Sequence, residues 1–124
     1  MKNYLKGGLA LSLFLVSTPI GAGTSTTCLR EAVYAEARGE TALGKQAVAN
    51  TILNRVSQTG FPKTICGVVN QPGQFKRARA PSSFEFKTFP DVTRGATHFQ
   101  RQDRPNWLGL KKKIRIGNHT FYGR

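Results

Sequence analysis

Acids are scarce in this chain. Six Asp plus Glu stand against nineteen Lys plus Arg, a formal charge of +13 over 124 residues. Such a field repels cationic partners and favours polyanions: nucleic acid, an anionic membrane face or an acidic wall polymer. Cysteine is nearly absent too, with Cys28 and Cys66 alone and no CxxC spacing, which removes a thioredoxin-like redox motif. The two histidines, His98 and His119, are too far apart in sequence to show metal-ligand spacing, so neither a metal nor another cofactor is expected. No apolar run reaches the ~20 residues that span a bilayer comfortably. No internal repeat or linker divides residues 24–124, so one small domain is expected there.

What is present begins with a basic start, "MKNYLK", followed by the apolar "GGLALSLFLVSTPI" and the small residues "GAG". This is the layout of a secretory signal over residues 1–23, with an uncleaved membrane anchor as the alternative. Removing it leaves about 101 residues and takes the charge from +13 to +11, because Lys2 and Lys6 go with it. Export to the periplasm, the wall or the exterior turns the polyanion reading away from nucleic acid and towards cell-wall material. In an exported chain the lone pair Cys28 and Cys66 reads as one disulfide, stabilising by roughly 3–4 kcal/mol on the chain-entropy estimate. A reactive thiol is the alternative, and no activating base is identified for it.

The periodicity predicts helices first and a small sheet after them, an α+β chain. Thr27 is placed as N-cap of a first helix through "CLREAVYAEA", with Glu31 in its first turn and Gly39 as its stop. A second helix runs from 42 to 57 behind Thr41, with Val48, Ala49, Ile52, Leu53 and Val56 as its apolar stripe. Residues 61–90 read as turns and irregular loop with one short apolar piece. "GATHFQ" and "KIRIGNHTFY" read as strands, with Gly117 marking a bulge or turn. "DRPNW" is a turn that delivers Trp107.

One acid sits where the pattern wants an apolar side chain. On a helical wheel Leu29, Ala32, Val33 and Glu36 fall within about 100° of one another, so Glu36 lies in line with the core stripe. Glu31 lies opposite and is expected to be solvated. A carboxyl drawn out of water holds its proton more tightly, which suits a general acid in glycosidic bond cleavage. The plainer alternative is a helix-end glutamate bonded to nearby backbone or paired with Arg38 or Arg55, and the surrounding cations favour its anion. On the second helix Gln46, Asn50 and Asn54 recur every four residues opposite the apolar stripe. Uncharged amides can donate to and accept from sugar hydroxyl and acetamido groups; chance recurrence is the alternative.

The blocks "CLREAVYAEARGE", "GKQAVANTILNRV", "FPKTICGVV", "GATHF" and "PNW" with "IGNHTFY" together resemble the cell-wall hydrolase family of spore-cortex-lytic enzymes. The likeness runs in the family's order from Cys28 to Tyr122. It implies a lysozyme-like domain, helices packed on a small antiparallel sheet, that cuts peptidoglycan glycan strands by lytic transglycosylation. The family's first motif glutamate falls on Glu36, as catalytic acid. Its second falls on Glu40, as a supporting or substrate-binding group. Gln46, Asn54 and Arg55 match the second block, His98 the fourth, and Trp107, Asn118, His119 and Tyr122 the last. The cysteine pair fits a disulfide-bearing branch. Two departures bear on substrate detail: "KRARA" follows Gln74–Phe75, and Gln100 replaces a common histidine or aromatic.

Under this resemblance Glu36 protonates the oxygen between N-acetylmuramic acid and N-acetylglucosamine. It then takes the proton of the muramyl 6-hydroxyl as a 1,6-anhydro ring closes. Lysozyme-type hydrolysis, with a partner carboxylate about 5–9 Å away, is the alternative. Trp107 and Tyr122 are expected either to stack on sugar faces or to be ordinary core aromatics, and His98 and His119 to be substrate contacts or scaffold. "KKKIR" and "KRAR" read as solvated basic surface that attracts anionic wall polymers, in a monomer with no separate wall-binding domain. A different class, a secreted polyanion binder without catalysis, would use Phe75, Phe84, Phe86 and Phe89 among the basic runs. Remodelling of the cell's own wall, service to a secretion apparatus and phage lysis as an endolysin all suit such a chain.

Overall fold

The computed structural model describes residues 24–106 and 109–124. The expected signal segment 1–23 and Trp107 lie outside the described residues.

Helix α1 spans Ser25–Ala37. Its N-cap is Thr24, not Thr27: the Thr24 hydroxyl oxygen accepts from the Thr27 backbone N–H at 3.1 Å. The run "TSTT" offers a capping side chain at every position, and local preference does not separate them. Helix α2 spans Ala42–Ser57 as the stripe requires, with the Thr41 oxygen accepting from Gly44 N at 3.2 Å. The short apolar piece at 65–69 is a third helix, α3, Ile65–Val69, capped by Thr64. Residues 70–97 carry no helix or strand, in keeping with the density of proline and basic residues there.

The sheet has strands β1 (His98–Arg101), β2 (Lys111–Ile116) and β3 (His119–Gly123), all antiparallel in the order β1-β3-β2. Phe99 opposes Phe121, and Ile114 opposes the same phenylalanine from the other side. Gly117 forms the β2–β3 turn with φ 58°, and the ladder's irregularity lies between Lys112 and Ile114. The α+β expectation therefore holds.

The core gathers Ala32 and Val33 from α1, Val48 and Ile52 from α2, Val68 and Val69 from α3, and Phe121 from the sheet, each at most 2% exposed. Burying a side chain of the Val, Ile or Phe kind contributes roughly 1.5–3 kcal/mol. The Cys28–Cys66 disulfide ties α1 to α3 across a separation of 38 residues. The long irregular segment is fastened at three points of α2. Gln46 Nε2 donates to Pro90 O at 2.7 Å, Asn50 Nδ2 to Thr88 O at 2.9 Å, and Asn54 Nδ2 to Ala96 O at 2.9 Å.

Candidate active site

The carboxyl-terminal end of α1, the loop around Gly73–Phe75 and strands β1 and β3 enclose a cleft of about 500 Å³. Glu36 stands in its wall, half-buried. Its neighbours there include Phe75, His98, Phe99, Gln100 and His119. Helical phase puts Glu36 on the inward side of α1, where its side chain meets the cleft while the adjacent Ala37 packs into the core. Its Oε2 accepts from the Lys76 backbone N–H at 2.8 Å. The backbone-bonded alternative and the cleft-facing one are thus both realised in the same carboxylate.

Neither arginine that could have neutralised it does so. Arg38 lies over the Tyr34 ring at 5.3 Å. Arg55 is 4% exposed and spends its donors elsewhere. Its Nε donates to Thr97 O at 2.6 Å and its Nη1 to Gln71 Oε1 at 3.0 Å. The guanidinium is flanked by Phe61 at 5.1 Å and Phe75 at 5.0 Å. Burial pushes its pKa down to about 10, which leaves it charged at neutral pH. Arg55 therefore joins α2 to the loop that roofs the cleft. Among the described residues the ion pairs are Arg77–Glu31 at 2.8 Å and Arg101–Asp103 at 3.3 Å. Glu31, expected to be solvated, is half-buried against Arg77, because the segment after Phe75 folds back along α1.

Both histidines line the cleft. His98 Nδ1 lies 3.0 Å from Thr97 Oγ1, and burial, then the charges of Arg55 and Arg124, push its pKa down. His119 is 9% exposed and meets the Phe99 ring in a T-shaped contact, centroids 5.0 Å apart. Burial pushes its pKa down as well, against the opposing pull of Glu40 and Glu36. Its Nδ1 is buried without a hydrogen-bond partner among the described residues. Both rings are therefore biased to the neutral form, able to donate at one nitrogen and accept at the other.

Several expected site residues sit elsewhere. Gln46 and Asn50 are buried, and with Asn54 they hold the 88–96 segment, so this amide row is a seam within the fold and not an open sugar surface. The regular spacing carried a real signal, but the partners are backbone groups together with the Asp91 and Thr93 side chains of the same segment. Asp91 belongs to the same seam: burial raises its carboxyl, yet bonds from the Thr93 hydroxyl, the Thr93 and Gly95 N–H groups and the Asn54 amide outweigh that and hold it below the usual carboxylate range. Tyr122 is 4% exposed in the central strand, with both faces of that strand covered, so it packs as a core aromatic. Glu40 is bonded to Asn118 at the β2–β3 turn. Gln100 lines the cleft while its Nε2 donates to Pro105 O at 2.6 Å.

Phe99 and Arg101 line the cleft without having been singled out in the sequence; their place in "GATHFQR" beside His98 was the available signal. The four phenylalanines named for strand stacking do not form a platform. Phe84 is 8% exposed in the core and Phe75 sits against Arg55, whereas Phe89 is 82% exposed. A second groove of about 500 Å³ is lined by Leu29, Arg30, Ile65, Phe84 and Phe86, with Glu85 its sole acid. It is the more apolar of the two and offers no imidazole.

The profile of the cell wall hydrolase family matches residues 39–122, beginning just after Glu36. The chain is 47% identical over 108 residues to the spore cortex-lytic enzyme of Bacillus subtilis (strain 168), covering 75% of this chain and 35% of that protein. Identity to the spore cortex-lytic enzyme of Bacillus cereus is 33% over 108 residues, covering 75% of this chain and 42% of that one. The chain thus spans less than half the length of these curated relatives. The crystal structure of the catalytic domain of the Bacillus cereus SleB protein matches with a TM-score of 0.68 at 30% identity, over 85% of this chain and 94% of that one. The catalytic domain of the germination-specific lytic transglycosylase SleB from Bacillus anthracis matches with the same score and identity, over 85% and 99%. By sequence profile and by fold, the chain belongs to the cell wall hydrolase family.

Proposed function

We propose that the domain cleaves peptidoglycan glycan strands between N-acetylmuramic acid and N-acetylglucosamine as a lytic transglycosylase, with Glu36 as general acid and then general base. The observation that carries this reading is the acid content of the cleft wall: Glu36 is the one carboxylate among the lining residues, flanked by two imidazoles and two aromatic rings. A single acid suffices when the nucleophile is the sugar's own 6-hydroxyl. The carboxyl protonates the bridging oxygen as the bond to the muramyl anomeric carbon breaks. The resulting carboxylate accepts the 6-hydroxyl proton as that oxygen closes the 1,6-anhydro ring, so the proton count balances and no water is consumed. The Lys76 N–H bond fixes one carboxylate oxygen through both steps. Phe75 and Phe99 supply apolar faces for pyranose rings, and His98 and His119 supply neutral polar edges for their substituents.

Mass spectrometry of the soluble muropeptides tests the reaction class. A transglycosylase product is lighter by one water than the product of hydrolysis, so full-mass reducing ends would replace this reading with lysozyme-type cleavage. The exposed Lys111, Lys112 and Arg115 on edge strand β2 suit anionic wall polymers outside the cytoplasmic membrane. Wall binding should weaken as salt rises, and a flat salt dependence would remove that part of the reading.

A further inference from the structure

Resting on the reading of Glu36 as the acid, we propose that Glu40 is a positioning residue, a latch on the β2–β3 turn that sets His119 against the cleft beside Glu36. Glu40 takes no part in the proton transfers. Although only four residues separate the two acids of "EARGE", they face different parts of the molecule. Glu36 lines the cleft, and Glu40 is not among the lining residues.

Both Glu40 oxygens are committed to one turn residue. Oε1 accepts from the Asn118 backbone N–H at 3.3 Å, and Oε2 accepts from Asn118 Nδ2 at 3.2 Å. Glycines make room for this fork on two sides. A Cβ at Gly117 would stand 2.6 Å from Glu40 Oε1, and one at Gly44 would stand 2.8 Å from Glu40 Cβ. Gly117 also holds φ 58°, a conformation other residues adopt at a cost. The residue after Asn118 is His119, whose place in the cleft wall follows from where the turn is held. A partner carboxylate in a two-carboxylate glycosidase would need free oxygens facing the substrate; here both are occupied by Asn118. The charged groups that act on the His119 ring are Glu36 of α1, Glu40 of the α1–α2 turn and Arg101 of β1.

The test exchanges the roles of donor and acceptor across the latch. In Glu40→Gln both bonds lose the charge of the carboxylate, and the Asn118 amide must turn its oxygen to the new N–H₂ to keep the side-chain bond. Adding Asn118→Asp gives that amide a carboxylate to donate to. With peptidoglycan as substrate, Glu40→Gln should lower kcat about tenfold or more with KM within about twofold, and the double variant should recover most of the loss. In parallel, the His119 imidazole proton resonance should shift in Glu40→Gln and return towards the wild-type position in the double variant. Full activity in Glu40→Gln overturns the proposal, as does a loss that Asn118→Asp leaves unrepaired or a His119 signal that does not move. If Glu40→Gln does not fold, Asn118→Ala removes the side-chain half of the latch alone: a fall in kcat supports the proposal, and wild-type turnover overturns it. The resonance does not depend on turnover, so a wild type inert on peptidoglycan would sink the Glu36 reading while the His119 signal still decides the latch.

Discussion

Replacing Arg55 by lysine keeps a positive charge in the middle of the domain and removes the geometry that the charge uses. The guanidinium reaches Thr97 O, Gln71 Oε1 and Gln74 Oε1 from three nitrogens while lying between two phenylalanine rings. A lysine ammonium places its donors on one atom and can serve only part of that set. Losing two charge-assisted bonds at roughly 1.5–3 kcal/mol each, offset in part by relaxation, gives a net loss on the order of 3 kcal/mol. In a domain of about 100 residues each kcal/mol lowers the melting temperature by about 4–8 °C, so Arg55→Lys should melt about 12–24 °C below wild type. Thermal unfolding followed by circular dichroism measures this directly. Activity should fall as well, because Gln74 and Phe75 both hold Arg55 and line the cleft. A melting temperature within about 3 °C of wild type would show that the guanidinium is not the tie between α2 and the cleft loop.

Acid should weaken the fold in two stages. The His98 and His119 pKa values are pushed down on folding, so the unfolded chain binds protons that the folded chain declines. Their contribution is complete above the ordinary histidine value of ~6.5 and is lost as pH falls through the folded values. Asp91, held below the usual carboxylate range, adds stability that is present above ~3.9 and is lost as pH falls through its folded value. Melting temperatures measured from neutral to acidic pH should therefore decline, and a rise on acidification would contradict the burial of the two rings. Asn50→Ala leaves Thr88 O and Val92 N without their amide partner and should cost about 2–3 kcal/mol in urea unfolding, whereas a cost near zero would mean the seam does not hold the segment. Replacing both Cys28 and Cys66 by serine releases a 38-residue crosslink and should cost roughly 3 kcal/mol by the same measurement; no loss would mean that the pair does not constrain the unfolded chain.

The order of elements was legible because it rests on local periodicity. The α2 stripe and the Thr41 cap gave that helix its ends, and the inward phase of Glu36 followed from the wheel alone. Capping at α1 was harder, since Thr24, Ser25, Thr26 and Thr27 are all competent and only the packed start of the helix selects one. The amide row on α2 was visible as a pattern, but its partners are 37 to 44 residues away in a segment without regular structure. No periodicity foretells which backbone carbonyl comes to rest against a given amide. Glu31 was displaced from its expected surroundings for the same reason, the long-range packing of Arg77. The Glu40–Asn118 contact spans 78 residues, and only the resemblance hinted that the second acid matters.

The central claim is that one carboxylate in the cleft does the chemistry, and Glu36→Gln tests it most directly. The variant keeps the size of the side chain and an oxygen able to accept the Lys76 N–H bond, so its melting temperature should match wild type closely. Release of soluble glycan from purified peptidoglycan should fall by about 10²–10⁴-fold, the usual range for losing a general acid. A folded Glu36→Gln protein that solubilises peptidoglycan at the wild-type rate would contradict the account.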